Sequence, residues 1–441
     1  MKTKAYPKYK PSGVEWLGDV PVHWEVKQTR HIFKIYSGST PKSGEDLFWD
    51  GDIVWFTPED LGNNQQKNIS ESRRKITKEG YKSCGTSLAK SNSVVLSTRA
   101  PIGHIALSTV SACCNQGCRI LEPENGNTDY WYYTMVSAKP IVQSLGQGST
   151  FMELPRQSFA SFNLPFPSSE EQQAIAAFLD RETKHIEALI AKKKKLLSLL
   201  AEQRTALISR AVTKGLNPSV KLKPSGVEWL GDVPEHWGIW KLAHLTVRIG
   251  SGKTPTGGAE VYQNEGVIFL RSQNVYDDGL YLDDVVYIDQ KIDDEMAWSR
   301  VQGKDILLNI TGASLGRTCI VKNEFPKSNV NQHVCVIRLT NTDYAEYISL
   351  YLKSKPAKAF YDFVQTGSAR EGLNFQQIGA FPITLPPLSE QQAIAAFLDR
   401  ETAKIGTLSA KVLMAIERLR EYRTALISAA VTGKIDVREA V

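Results

Sequence analysis

The chain has 441 residues, 42% of them hydrophobic and 23% charged, more than one core usually holds and the balance of a globular protein of two or more domains. Lys and Arg exceed Asp and Glu by 53 to 47, a formal charge of +6, which permits a polyanionic partner without requiring one. Six cysteines in such a chain exclude a disulfide framework.

From the start, "MKTKAYPKYK" lacks the apolar run of a signal peptide, and nothing later approaches the roughly 20 apolar residues of a membrane span. The expectation is a cytoplasmic protein without a membrane partner. "KPSGVEWLGDVP" at 10–21, followed by "VHW", returns at 223–234 followed by "EHW". After each copy come short β-rich runs, "DIVWF" and "SVVLST" in the first half and "GVIFL" and "DILLNI" in the second, separated by Gly, Pro and Asn turns. Fainter echoes keep the same order: "SGSTP" (37–41) with "SGKTP" (251–255), "STRAPIGHIA" (97–106) with "ITGASLGRTC" (310–319), and Asn115–Gln116 with Asn331–Gln332. Two mixed α+β domains of one fold with different surfaces are implied.

"LPFPSSEEQQ" and "LPPLSEQQ" then change extended chain into helix, with Ser169 or Ser389 as N-cap and acidic residues in the first turn. Each opens the identical "EQQAIAAFLDRET", at 171–183 and 390–402. A 4-3 spacing follows through Ile175, Leu179, Ile186, Leu189, Leu196, Leu200 and Leu207, and through Ile394, Leu398, Ile405, Leu408, Val412, Leu419 and Leu426. That period predicts two long pairing helices of about 40 residues, roughly 60 Å each. If the copies pair, two like units related by a pseudo-twofold axis make the coiled coil antiparallel. Packing of each helix on its own domain stays open as the alternative. The chain thus divides into a first domain (1–167), a first helix (168–215), a second domain (216–386), a second helix (387–434) and a C-terminal tail (435–441). "KKKK" at 192–195 turns one lysine, Lys193, onto the seam, either snorkelling to water or touching phosphates or an acidic partner.

Catalytic signatures are missing. "GSGKT" at 250–254 resembles the end of a P-loop, but Val247 stands where that loop needs glycine. No HExxH, GxSxG, paired-carboxylate nuclease or adenine-methyltransferase "NPP(Y/F)" motif occurs, and Cys113, Cys114 and Cys118 lack a second group at zinc spacing. The expectation is a binder with no catalytic residues, metal site or cofactor of its own.

With "PSGVEWLGDVPxHW" opening each domain, "EQQAIAAFLDRET" opening each helix and "RTALISxAVT" closing it, the chain resembles the specificity subunit of type I restriction-modification systems over essentially its full length. The resemblance implies two target recognition domains that each read half of a bipartite double-stranded DNA sequence. It also implies paired helices that set the spacer and dock two modification subunits, with restriction subunits as further partners. S-adenosylmethionine, ATP and Mg would belong to those partners. On this reading Arg73, Arg74 and Lys75 are phosphate contacts of the first domain and Ser37, Thr40, Thr98 and Arg99 its groove contacts; Lys253, Arg271, Arg317 and Arg370 serve the second. A DNA-binding regulator without enzyme partners and a coiled-coil scaffold for proteins are the rival readings.

Overall fold

The computed structural model describes residues 4–99, 101–148, 152–365 and 372–439. Packing groups the chain into two compact units, one of residues 1–193 with 414–441 and one of 194–413. Both expected long helices are present, Ser169–Lys214 and Leu388–Val431, of 46 and 44 residues. Each unit therefore holds the start of one helix and the end of the other.

The two units share a topology. In the first, strands Phe33–Ser37, Cys118–Pro123, Ser93–Ser97 and Ile105–Ser108 lie in that order in one sheet, with Asn68–Ile69 at its edge. In the second, Thr246–Ser251, Val334–Leu339, Ile306–Asn309 and Thr318–Ile320 repeat the order. A parallel pair follows in each, Trp49–Phe56 with Ala112–Cys114 and Val267–Leu270 with Ser328–Val330. The alternation of turn residues with short runs of β-branched and aromatic side chains produces these strands, many buried on both faces: Val94, Val95, Leu96, Ile306, Leu307 and Leu308 are at most 1% exposed.

The duplicated "EQQAIAAFLDRET" has a local cause. Gln172 and Gln391 are buried and donate from Nε2 to the carbonyls of Pro167 and Pro386, holding the extended entry chain against the first helical turn. Glu171 meets His23 at 3.0 Å and Glu390 meets His236 at 2.9 Å, tying each helix start to its "HW" motif. Ile175 and Leu179 enter the core of the first unit and Ile394 and Leu398 that of the second. Own-domain packing, left open by the sequence, is thus what the repeated stretch does. The capping expectation needs correction. Ser168, not Ser169, accepts the Glu171 N–H, and Pro387 takes the place expected of Ser389, which lies inside the helix.

Each unit also pairs helix start with helix end, antiparallel as expected. In the first, Phe178 and Glu182 share a cavity lining with Leu426 and Ala429, while Glu187 further along meets Arg423 at 3.1 Å. In the second, Gly215, just past one helix, lies against Glu390 at the start of the other. Of the seam residues, Ile175, Leu179, Ile186, Leu200, Ile394, Leu398, Val412 and Leu426 are buried, and Leu189, Leu207, Ile405 and Leu419 partly so. Leu196 and Leu408 are corrections: they are 39% and 45% exposed. Both lie on the middle stretch of their helices, and the seam is covered again beyond them at Leu200 and Val412, with Ile416 buried alongside. Lys193 is partly buried and its three lysine neighbours are exposed.

The expected tail at 435–441 is packed chain where described: Val437 is fully buried and the Asp436 N–H donates to the Lys4 carbonyl, while Lys434 just before it donates from Nζ to the carbonyls of Leu17 and Asp19. Lys214 makes the matching bond to Asp232. The C-terminal and N-terminal segments together do for the first unit what the continuous linker does for the second.

Candidate nucleic-acid interface

Four loops leave the strand ends of each unit and are bonded together. In the first unit they are Gly38–Pro41, the turn from Phe56 into the short helix Pro58–Asn63, the described residues Thr98, Arg99 and Pro101–His104, and Asn115–Gly117. Ser39 N–H donates to Cys114, Asn115 N–H to Phe56 and Thr98 N–H to Gly117. Thr40 Oγ1 donates to Gln116 Oε1 at 2.5 Å, joining the "TP" and "NQ" motifs. In the second unit Gly252 N–H donates to Asn331 and Asn331 N–H to Leu270. Thr254 Oγ1 donates to Gln332 Oε1 at 2.6 Å. The faint sequence echoes are therefore one repeated structural device. Gln116 and Gln332, both exposed at its centre, are residues to which positive charge does not point; the recurrence of "NQ" is the sequence signal that marks them.

The glycines of this device are set by backbone crossing. A Cβ on Gly38 would stand 2.1 Å from the Cys114 carbonyl oxygen, and one on Gly252 1.7 Å from that of Val330. The glycine of "GSGKT" thus serves close strand approach rather than a phosphate loop. We expect Gly38→Ala to lower stability by about 1–3 kcal/mol through overpacking, read as a fall in urea midpoint. Gly44→Ala, with nothing within 4 Å of its added Cβ, is the control that should barely move; equal effects would remove the crossing explanation.

The residues expected to contact DNA distribute unevenly. Ser37 is exposed at its strand end and Thr40 belongs to the device. Thr98 is a correction: it is 1% exposed, its backbone held between Gly117 and Leu154, so it cannot reach a groove. Arg99 is paired with Glu153 at 2.8 Å and Arg73 with Glu59 at 2.7 Å. Arg74 stacks 3.5 Å over the Trp49 ring and Lys75 meets Glu71 at 3.1 Å. In the second unit Arg271 donates to the Asp284 carbonyl at 2.9 Å, and Lys253, exposed, lies 5.4 Å over Trp298. Arg317 stacks 4.7 Å over Tyr276. Arg370 lies outside the described residues.

Arg317 and Tyr276 line an open cavity of about 420 Å³ with Ser272, Gln273, Thr311, Ser314 and His333. No carboxylate lines it. In the first unit the aligned position is His104, whose pKa is lowered by burial and then by nearby Lys139. Cys113 is buried and its thiol pushed up to about 12 by burial, with Cys114 and Cys118 raised by the same cause, so these thiols stay protonated. Among the described residues no cluster of three or more His, Cys, Asp or Glu could hold a metal, and no helix is long and apolar enough to cross a membrane.

A family model for the type I restriction modification DNA specificity domain matches residues 21–198 and again 234–418. The chain is 26% identical over 435 residues to the type I restriction enzyme MjaIX specificity subunit of Methanocaldococcus jannaschii, covering 96% of each. It is 22% identical to the EcoKI specificity subunit of Escherichia coli K12, over 95% of this chain and 90% of that one. In fold it is similar to a chain solved in work on complex assembly and conformational transition of the type I R-M system, with TM-score 0.65 at 15% identity, covering 94% of this chain and 99% of that one. The HsdS subunit from Thermoanaerobacter tengcongensis matches with TM-score 0.51 at 15% identity, covering 94% and 98%.

Proposed function

The chain belongs to the type I restriction-modification DNA specificity family, and on that premise we propose that it is a non-catalytic recognition subunit whose two units each read one half of a bipartite double-stranded target. The long helices set the unread spacer and dock two modification subunits, which bring S-adenosylmethionine. Restriction subunits using ATP and Mg join the same assembly in the cytoplasm. One observation carries the reading: both units repeat the same four-loop device and the same helix anchorage, while the side chains around the device differ, as with Arg317 against His104. Like anchorage suits identical partners; unlike surfaces suit unlike half-sites. Phosphate contacts would supply most of the affinity, so binding should fall steeply with salt.

Co-expression with a methyltransferase of the same host, followed by purification and mapping of methylated adenines, tests this. The expected result is a stable complex and a split motif with two unlike halves. A chain that purifies alone yet holds DNA would support a regulator instead, and one that holds no DNA at moderate salt a scaffold.

A further inference from the structure

Given that the second unit reads DNA, what is common to both units cannot tell one half-site from the other. The Thr40–Gln116 and Thr254–Gln332 pairs are common, so discrimination falls to what differs beside them. Gly117 follows Gln116, whereas His333 follows Gln332. The second unit thereby gains a chain of bonds. Gln332 Nε2 lies 2.9 Å from His333 Nε2, and His333 Nδ1 lies 2.6 Å from Thr311 Oγ1.

The direction of that chain follows from donor chemistry. Gln332 Oε1 is occupied by the Thr254 hydroxyl, and the amide nitrogen can only donate, so His333 Nε2 must accept. The ring proton then sits on Nδ1 and is given to Thr311 Oγ1, which leaves the Thr311 hydroxyl proton for an acceptor in the cavity. Beside it stands the Arg317 guanidinium, steadied on Tyr276, with no salt-bridge partner among the described residues. Gln273 is turned to Asp284. Arg317 and Thr311 thus turn donors into a cavity whose lining holds no carboxylate, its neutral acceptors being the Ser272 and Ser314 hydroxyls and Gln273 Oε1.

We propose that Arg317 and Thr311, the latter oriented by His333 and Gln332, read a guanine in the half-site of the second unit. Guanine alone presents two adjacent acceptors, N7 and O6, on its major-groove edge; adenine and cytosine would turn an amino donor toward these donors. Arg317 and Thr311 contact the base, and His333 and Gln332 are positioning residues. His104 stands where Arg317 does in the first unit, with Gly117 for His333, so the first half-site carries no counterpart of this contact.

The test uses the chain in complex with its modification subunits and duplexes of the mapped target, each guanine of one half replaced in turn by 7-deazaguanine. One replacement is expected to weaken wild-type binding by about 5- to 150-fold and to leave Arg317→Ala, already weakened, nearly unaffected. Thr311→Val should lose discrimination at the same base pair and Thr311→Ser should keep it, which separates the hydroxyl from mere packing. Gln332→Ala should behave as a partial Thr311→Val. If Arg317→Ala weakens every duplex alike, or no guanine responds, the assignment is overturned while the recognition reading stands. A complex that binds no split target overturns both.

Discussion

Replacing Asp293 by alanine is expected to destabilise the second unit by about 2–3 kcal/mol at neutral pH, read as a lower urea midpoint. Asp293 is fully buried in the short helix Gln290–Glu295, where it meets Arg300 at 2.6 Å and Lys327 at 2.8 Å and accepts from Asn329 Nδ2 at 3.0 Å. Burial alone would raise its pKa; the bonds from Arg300, Lys327 and Asn329 outweigh that and bring it from 3.8 down to about 2. A carboxyl depressed in the folded state stabilises it fully above the unfolded pKa and loses that contribution as pH falls through the folded one. The gap between wild type and Asp293→Ala should therefore be complete above about pH 4 and close toward pH 2. An unchanged midpoint at pH 7 would refute this role for Asp293. Asn329 sits in the strand that leads to Asn331, Gln332 and His333, so the cluster also supports the backbone that carries the proposed reading residues.

How much of this could be read from the sequence depends on the range of the interaction. The two domains, the two long helices and their antiparallel pairing were legible because the same side chains perform the same contacts twice: Gln172 and Gln391 on proline carbonyls, Glu171 and Glu390 on histidines. Even weak echoes such as "TP" and "NQ" marked a real bond in each unit. Partners of single charges were not legible. Nothing near Arg99 announces Glu153, and nothing near Arg74 announces the Trp49 ring; such pairs are made by the chain's return, not by local pattern. Thr98 failed for a similar reason, since its burial comes from Gly117 and Leu154 backbone on either side. Leu196 and Leu408 failed although Leu200 and Val412 next along the same seam are buried, because a heptad count gives the period of a stripe and not how far along the helix it is covered.

Replacing residues 25–165 by the chain's own matching segment, 238–384, should convert the split target into one whose two halves carry the same bases, with the spacer unchanged. The junctions suit the exchange. Glu25–Gln28 pairs with Asn163–Phe166, and Gly238–Lys241 pairs with Pro382–Leu385, so each segment begins and ends on neighbouring strands. All four loops of the first device travel with the segment, while His23, Glu171 and Gln172 stay behind. The incoming segment supplies Tyr347, which bonds the Val212 carbonyl near the end of one long helix as Tyr130 bonds that of Val431 near the end of the other. Several mismatched base pairs at about 1–3 kcal/mol each put the lost half-site at a disadvantage of roughly a thousandfold or more, so the old motif should vanish from a map of methylated adenines. If specificity resided outside the loops, in the helices or their partners, the exchange would leave the motif as it was. If the units read DNA jointly rather than separately, both halves would change to sequences unlike either original.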